Sequence, residues 1–318
     1  MQEKQKNRII RLNAFAKINL SLDVTGTRDD GMHDVDMIMQ AISLKDDIYL
    51  SYEESGDSVD GIPKIMIRTN RAYLPTGDNN IAYKAAAEFF KGINQVTGRV
   101  LIEIKKQIPV AAGLAGGSSD ASAVLHGLNA IFNYPLSMQN LIDIAKIVGS
   151  DVPFTLSAQA KCHRFLKSHF NKEGLSMICA RAKGTGTDLQ KIIGLKSYVV
   201  LAKPSIGVST AEVYRGIDEV ELKRRPDTEI LIEALEEGNY SKAYPEMVNV
   251  LEEYTLQKYV KVYELKKLMK EEYNFDHVMM SGSGPTIIGF TRSQKNALKM
   301  MKKLRKLGYS AYYAKTLE

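Results

Sequence analysis

Residues 109–121, reading PVAAGLAGGSSDA, set Gly113, Gly116 and Gly117 together with Ser118 and Ser119 between a strand pattern and a helix pattern. Upstream, VLIEIK at 100–105 alternates apolar and polar residues as a half-buried strand does; downstream, 121–132 carries apolar residues at helical spacing. Strand, glycine loop and helix in that order suit phosphate. Glycine lets backbone N–H groups approach an anion with no Cβ in the way, and the following helix points its partly positive N-terminus at the same spot. Ser118 and Ser119 offer hydroxyls to cap the helix, to reach a phosphate oxygen or to hold Mg²⁺. No Lys follows the last glycine, so a Walker loop fails, and the spaced GxGxxG of a dinucleotide fold is missing.

A chain of 318 residues exceeds one ordinary domain, so two domains are expected, with a boundary between 157 and 196. Strand patterns at 9–24, 47–52 and 64–68 and a helix at 80–90 precede the glycine loop. After the boundary come a strand at 197–201, several helices between 210 and 273, and a strand–helix–strand ending. Mixed elements without regular βα alternation indicate an α+β fold. Charged residues interrupt every apolar run, so no membrane span is expected, and two cysteines give no disulfide framework; the reading is a cytoplasmic protein. The net charge of +6 is spread out, with no basic patch interleaved with aromatics, which excludes a nucleic-acid partner.

The glycine loop resembles the ATP-binding motif of the GHMP small-molecule kinases. Further segments are similar to one branch of them, the kinases of 4-diphosphocytidyl-2-C-methyl-D-erythritol: AKINL at 16–20, DGMH at 30–33, GSDVPF at 149–154, AKPSIGVSTAEVY at 202–214 and MMSGSGPT at 279–286, in the family's order. The resemblance implies a two-lobe GHMP kinase fold, with an N-terminal ATP-binding lobe over 1–157 and a ferredoxin-like C-terminal lobe over 178–318, and the active site between the lobes. It implies ATP with Mg²⁺ as cofactor, that cytidyl alcohol as the small-molecule substrate, phosphorylation at its 2-hydroxyl, and a monomer or weak homodimer.

Carried over residue by residue, the ATP loop is Pro109, Val110, Ala111, Ala112, Gly113, Leu114, Ala115, Gly116, Gly117, Ser118 and Ser119. Asp151, by itself a cap or turn aspartate, becomes the candidate general base. Lys17 interrupts an apolar strand, where a cation is costly unless paired; pairing with Asp151 would explain it, and snorkelling to a strand edge is the alternative. Asn19, two residues on, shares its face and is placed at the substrate. His33 is assigned to the cytosine ring, Thr210 and Tyr214 to the cytidine pocket, and Gly282 and Gly284 of a second glycine loop to the substrate and the nucleotide phosphates. Thr210 also reads as a helix N-cap and Tyr214 as a core aromatic.

The chain departs from the family at two places. Met32 replaces the usual Tyr before His33. Residues 158–177, from Ala158 to Met177, intervene where the family passes quickly onward, and read as a basic, partly helical surface insertion that the fold should tolerate losing. Cys162, His163, His169 and nearby Cys179 lack the spacing of a structural zinc site. A kinase for homoserine, mevalonate or a sugar, and a non-catalytic ligand sensor on the same fold, are the other readings.

Overall fold

The structure, a computed structural model, describes residues 8–93, 96–170 and 173–318. The chain divides into two compact units, each drawing on three stretches. The first comprises residues up to Ala16, Lys45–Ile108 and Ala115–Met177; the second comprises Lys17–Leu44, Pro109–Leu114 and Ile178–Glu318. Two long strands, β1 (Arg8–Thr27) and β2 (His33–Glu53), supply residues to both. The sequence reading gave β2 only at 47–52. Its earlier half lacks the strict alternation of a one-faced strand because residues 37–42 are all buried.

In the first unit, β2 pairs antiparallel with β4 (Arg99–Lys105), from Asp47 opposite Lys105 to Glu53 opposite Arg99, and β3 (Lys64–Thr69) lies parallel to β4. Ile48, Leu50, Val100, Ile102 and Ile104, every second residue, turn into a core closed by α1 (Ile81–Ile93), α2 (Gly116–Ile131), α3 (Met138–Val148), α4 (Val152–Cys162) and α5 (Arg164–Phe170). Helix α2 is buried on nearly every face, its small and apolar residues interrupted by buried Asp120, His126 and Asn129.

That core corrects the surface reading of 158–177. Ala158 and Ala160 are buried in α4, Leu166 and Phe170 are fully enclosed on α5, and Met177 is buried with its N–H donating to the Ser157 carbonyl. Leu166 and Phe170 stand one helical turn apart and face inward while Arg164 and Lys167 face water. Two positions of the segment, 171 and 172, lie outside the described residues.

In the second unit, the early half of β2 pairs with β5 (Cys179–Gly184), which turns back as β6 (Asp188–Lys191). A separate antiparallel sheet has the order β10–β7–β9–β8, from β7 (Tyr198–Lys203), β8 (His277–Met280), β9 (Ile287–Thr291) and β10 (Ser310–Lys315). Helices α6 (Thr210–Ile217), α7 (Thr228–Glu236), α8 (Tyr240–Glu246), α9 (Glu252–Lys258) and α10 (Val260–Glu271) join β7 to β8, and α11 (Gln294–Lys306) joins β9 to β10. Helices between the first two and last two strands of a four-stranded antiparallel sheet make the expected ferredoxin-like arrangement.

Candidate active site

Within the second unit, β1, the loop Pro109–Leu114 and the β8–β9 turn converge. Lys17 is buried, its Nζ donating to Asn19 Oδ1 at 2.9 Å, which bears out the shared face expected from their i, i+2 spacing. Asn19 Nδ2 in turn lies 3.3 Å from Met37 Sδ on β2, and the Lys17 N–H donates to the Leu114 carbonyl, fastening the glycine loop to the strand.

The second glycine loop is the 281–286 turn between β8 and β9. Ser281 Oγ donates to the Gly113 carbonyl at 2.9 Å. Gly113 has φ +69°, and a Cβ there would sit 2.2 Å from the Ser281 carbonyl oxygen, a backbone atom that cannot step aside. A methyl on Gly282 (φ +55°) would lie 3.4 Å from the Gly113 carbonyl oxygen and 3.7 Å from Asn19 Oδ1. Lys17, Asn19, Gly113, Gly282 and the adjacent Gly284 therefore occupy one place.

Three residues the sequence reading passed over hold that place. Buried Asn249 donates through Nδ2 to the Met280 and Gly282 carbonyls at 2.9 and 2.8 Å, and its Oδ1 accepts from the Leu251 N–H. Lys203, at the end of β7, points Nζ at the Val110 carbonyl 3.4 Å away, and burial pulls its pKa below the ordinary lysine value. Ser283 Oγ meets Thr210 Oγ1 at 2.9 Å. This last contact corrects the capping role for Thr210: the N-cap of α6 is Ser209, whose hydroxyl accepts from the Glu212 N–H, leaving Thr210 to face the turn. We expect Asn249→Ala to strand two buried carbonyls and lower the unfolding free energy by ~1–3 kcal/mol, read by urea denaturation. An unchanged midpoint would show that the turn does not depend on it.

His33 opens β2 with its ring buried. Its Nε2 lies 3.1 and 3.0 Å from the two carboxylate oxygens of Asp218, and its ring centroid is 5.4 Å from that of half-buried Tyr214 on α6. The structure thus gathers His33 and Tyr214 as the sequence reading expected, and adds Asp218. Met32 is 46% exposed, its N–H held by Asp30 Oδ1.

In the first unit, α2 begins at Gly116, five residues before the apolar periodicity, so two of the three glycines and both serines are helical. Packing explains this against poor glycine propensity: a Cβ on Gly116 would lie 3.0 Å from Ile108 Cγ2 and 3.2 Å from Lys106 Nζ. Beneath this turn Lys106 Nζ bridges Asp46 (2.5 Å) and Asp120 (2.7 Å), while Asp46 also accepts from the Gln107 and Ile108 N–H groups. Burial pushes the Asp120 carboxyl well above its usual range, against the pull of Lys106.

The helix N-terminus fits an anion. Its N-cap, Ala115, is left-handed (φ +53°) and supplies no side-chain acceptor, and no acidic residue stands in the first turn, so early N–H groups keep their donors for a ligand. The buried Ser119 hydroxyl donates to the Phe15 carbonyl at 2.7 Å, whereas Ser118 is half-buried. Asp151 sits half-buried at the N-cap position of α4 without capping it.

Among the described residues, no group of three or more His, Cys, Asp or Glu is placed to hold a metal ion. His163 Nε2 meets the Asn13 carbonyl, His169 stacks on Tyr134 at 3.7 Å, and burial raises both thiols, that of Cys162 to about 12. No helix among them is long and apolar enough to cross a membrane.

Comparison with known proteins matches the family description GHMP kinases N terminal domain over residues 80–159 and GHMP kinases C terminal over 231–310. A 4-diphosphocytidyl-2-C-methyl-D-erythritol kinase of Alkaliphilus metalliredigens is 44% identical over 289 residues, covering 91% of this chain and 90% of that protein. One of Bacillus velezensis is 40% identical over 293 residues, covering 92% and 91%. A crystal structure of 4-(cytidine 5'-diphospho)-2C-methyl-D-erythritol kinase superposes with a TM-score of 0.74 at 28% identity, over 97% of this chain and all of that one. Homoserine kinase from Cytophaga hutchinsonii, at 15% identity and a TM-score of 0.67, shares the fold. Similarity of this extent, over 90% or more of both chains, means that the chain belongs to the 4-diphosphocytidyl-2-C-methyl-D-erythritol kinase family of the ATP-dependent GHMP kinases.

Proposed function

We propose that this protein transfers the γ-phosphoryl group of ATP to the 2-hydroxyl of 4-diphosphocytidyl-2-C-methyl-D-erythritol, giving ADP and the 2-phosphate, a step of non-mevalonate isoprenoid precursor synthesis. The observation that carries this reading is the convergence of Lys17, Asn19, Gly113 and the 281–286 turn beside a His33–Tyr214 pair suited to a pyrimidine. Phosphoryl transfer to an alcohol needs a held triphosphate, an aligned hydroxyl and a group to take its proton.

The glycine loop and the uncapped N-terminus of α2 hold the phosphates. Ser118 is the hydroxyl that would help hold a Mg²⁺ ion, which would supply neutralisation of the charge developing on the leaving diphosphate. Asp151 accepts the proton of the 2-hydroxyl, Lys17 offsets the negative charge of the transferring group, and Asn19 orients the alcohol. His33 and Tyr214 take the cytosine, with Thr210 beside them, and Gly282 and Gly284 let the second loop approach the phosphates. We take the protein to act in the cytoplasm as a monomer or weak homodimer.

An ADP-release assay comparing the cytidyl alcohol with homoserine and mevalonate tests the reading: turnover of the cytidyl alcohol at least as slow as that of the others would overturn it. Exposed Met32 stands where a covering ring would help. Met32→Tyr is expected to add an aromatic contact of ~0.5–1.5 kcal/mol and so lower KM for the cytidyl alcohol severalfold. Because ground and transition states share that contact, kcat should hold. An unchanged KM would move the pyrimidine away from Met32.

A further inference from the structure

We propose that Asp218 is a positioning residue for base selection: it holds the His33 ring as the Nε2–H tautomer, so that Nδ1 is left to accept a hydrogen bond from the exocyclic amine of cytosine. The inference rests on the reading that His33 meets the base.

A carboxylate only accepts, and both Asp218 oxygens lie within 3.1 Å of His33 Nε2, so the proton belongs on Nε2. In the neutral ring Nδ1 is then a bare acceptor. Cytosine presents an amine at its 4-position, a donor that satisfies this acceptor; uracil presents a carbonyl there, and two lone pairs would face each other. The opposite tautomer reverses the preference. Selection between the two pyrimidines is thus set by which ring nitrogen carries hydrogen, and Asp218 decides that.

The surroundings fix the carboxylate rather than merely attract it. Asp218 is the C-cap of α6, four residues beyond Tyr214, so one helix end supplies both the ring beside His33 and the acceptor behind it. Thr27 Oγ1 approaches Asp218 Oδ1 at 3.4 Å. On the other side, Arg28 pairs with Asp30 and Asp34 at 3.3 and 3.2 Å and its N–H donates to the Met32 carbonyl, which fixes the turn entering His33. The Asp218 side chain is 47% exposed, where an ion pair contributes little to stability, so a contact this well aligned has its effect on orientation.

Two measurements on the full chain test this. Nitrogen-15 NMR of histidine-labelled protein at pH 8 reports the tautomer without any substitution: His33 is expected with Nε2 protonated and Nδ1 bare, and the reverse pattern would overturn the proposal. Kinetically, KM for the cytidyl alcohol should lie below that for its uridyl analogue by on the order of 10- to 100-fold, the range set by a buried acceptor left unpaired. Asp218→Asn, whose amide can donate as well as accept, should bring both tautomers into the spectrum and narrow that ratio about tenfold through KM rather than kcat, while Asp218→Glu keeps it. A ratio and tautomer both unchanged in Asp218→Asn would reject Asp218 as the cause. If the wild-type protein turned over neither nucleotide, the kinase assignment would fall and the base-selection proposal with it; turnover of the cytidyl alcohol with no preference over the uridyl analogue would sink only the proposal made here.

Discussion

Asp151→Asn is expected to lower kcat by ~10²- to 10⁴-fold, the loss that follows removal of a positioned general base, with KM for ATP little changed. The side chain keeps its shape and loses its negative charge and its capacity to take a proton. Its backbone is held independently of that side chain: the Asp151 carbonyl accepts from the Thr155 N–H and from Thr155 Oγ1, and the Val152 N–H donates to the Gly149 carbonyl. An acidic residue at a helix start contributes typically ~0.3–1 kcal/mol through the helix dipole, so asparagine should cost that much stability at most. A fall of a hundredfold or more cannot come from so small a destabilisation. Steady-state ADP release alongside a thermal melt separates the two effects, and near wild-type turnover would reject Asp151 as the base.

What could be read from the sequence follows from how local each signal is. Strand geometry alone places Lys17 and Asn19 together, and flanking strand patterns mark the serines and glycines of 281–284 as a turn; both need only neighbours in the chain. The start of α2 was not legible. Glycine disfavours helix, and the reason for Gly116 and Gly117 lies in the close approach of Ile108, Lys106 and Ile81, which no window of sequence contains. Thr210 and Ser209 are both capping residue types, and what decides between them is that Thr210 turns to Ser283, far along the chain, while Ser209 accepts from the Glu212 N–H. Asn249 and Asp218 were invisible for the same reason: each acts on a partner more than thirty residues away. For 158–177, by contrast, the signal was present. Leu166 and Phe170 at i, i+4, with Arg164 before them and Lys167 between them, describe a helix with one apolar face, and such a face needs a core to lie on.

Deleting 158–177 is therefore expected to abolish cooperative folding rather than trim a loop. The cut would fall inside α4 and remove Gln159, whose Nε2 donates to the Ser119 carbonyl at 2.8 Å and ties α4 to α2. It would remove His163, bonded to the Asn13 carbonyl of β1, and would expose the surfaces that Leu166 and Phe170 cover, including the rings of buried His126 and of Tyr134. Truncating one buried Leu or Phe costs ~2–5 kcal/mol, and a domain's whole stability is ~5–15 kcal/mol, so losing both with two helix ties consumes most of it. Phe170→Ala is the graded version. It should lower the unfolding free energy by ~3–5 kcal/mol in urea while leaving the protein folded in dilute buffer, because the backbone of α5 stays in place. A deleted protein that melts cooperatively near the wild-type temperature, together with a Phe170→Ala midpoint close to wild type, would return the segment to the surface and remove it from the core of the first unit.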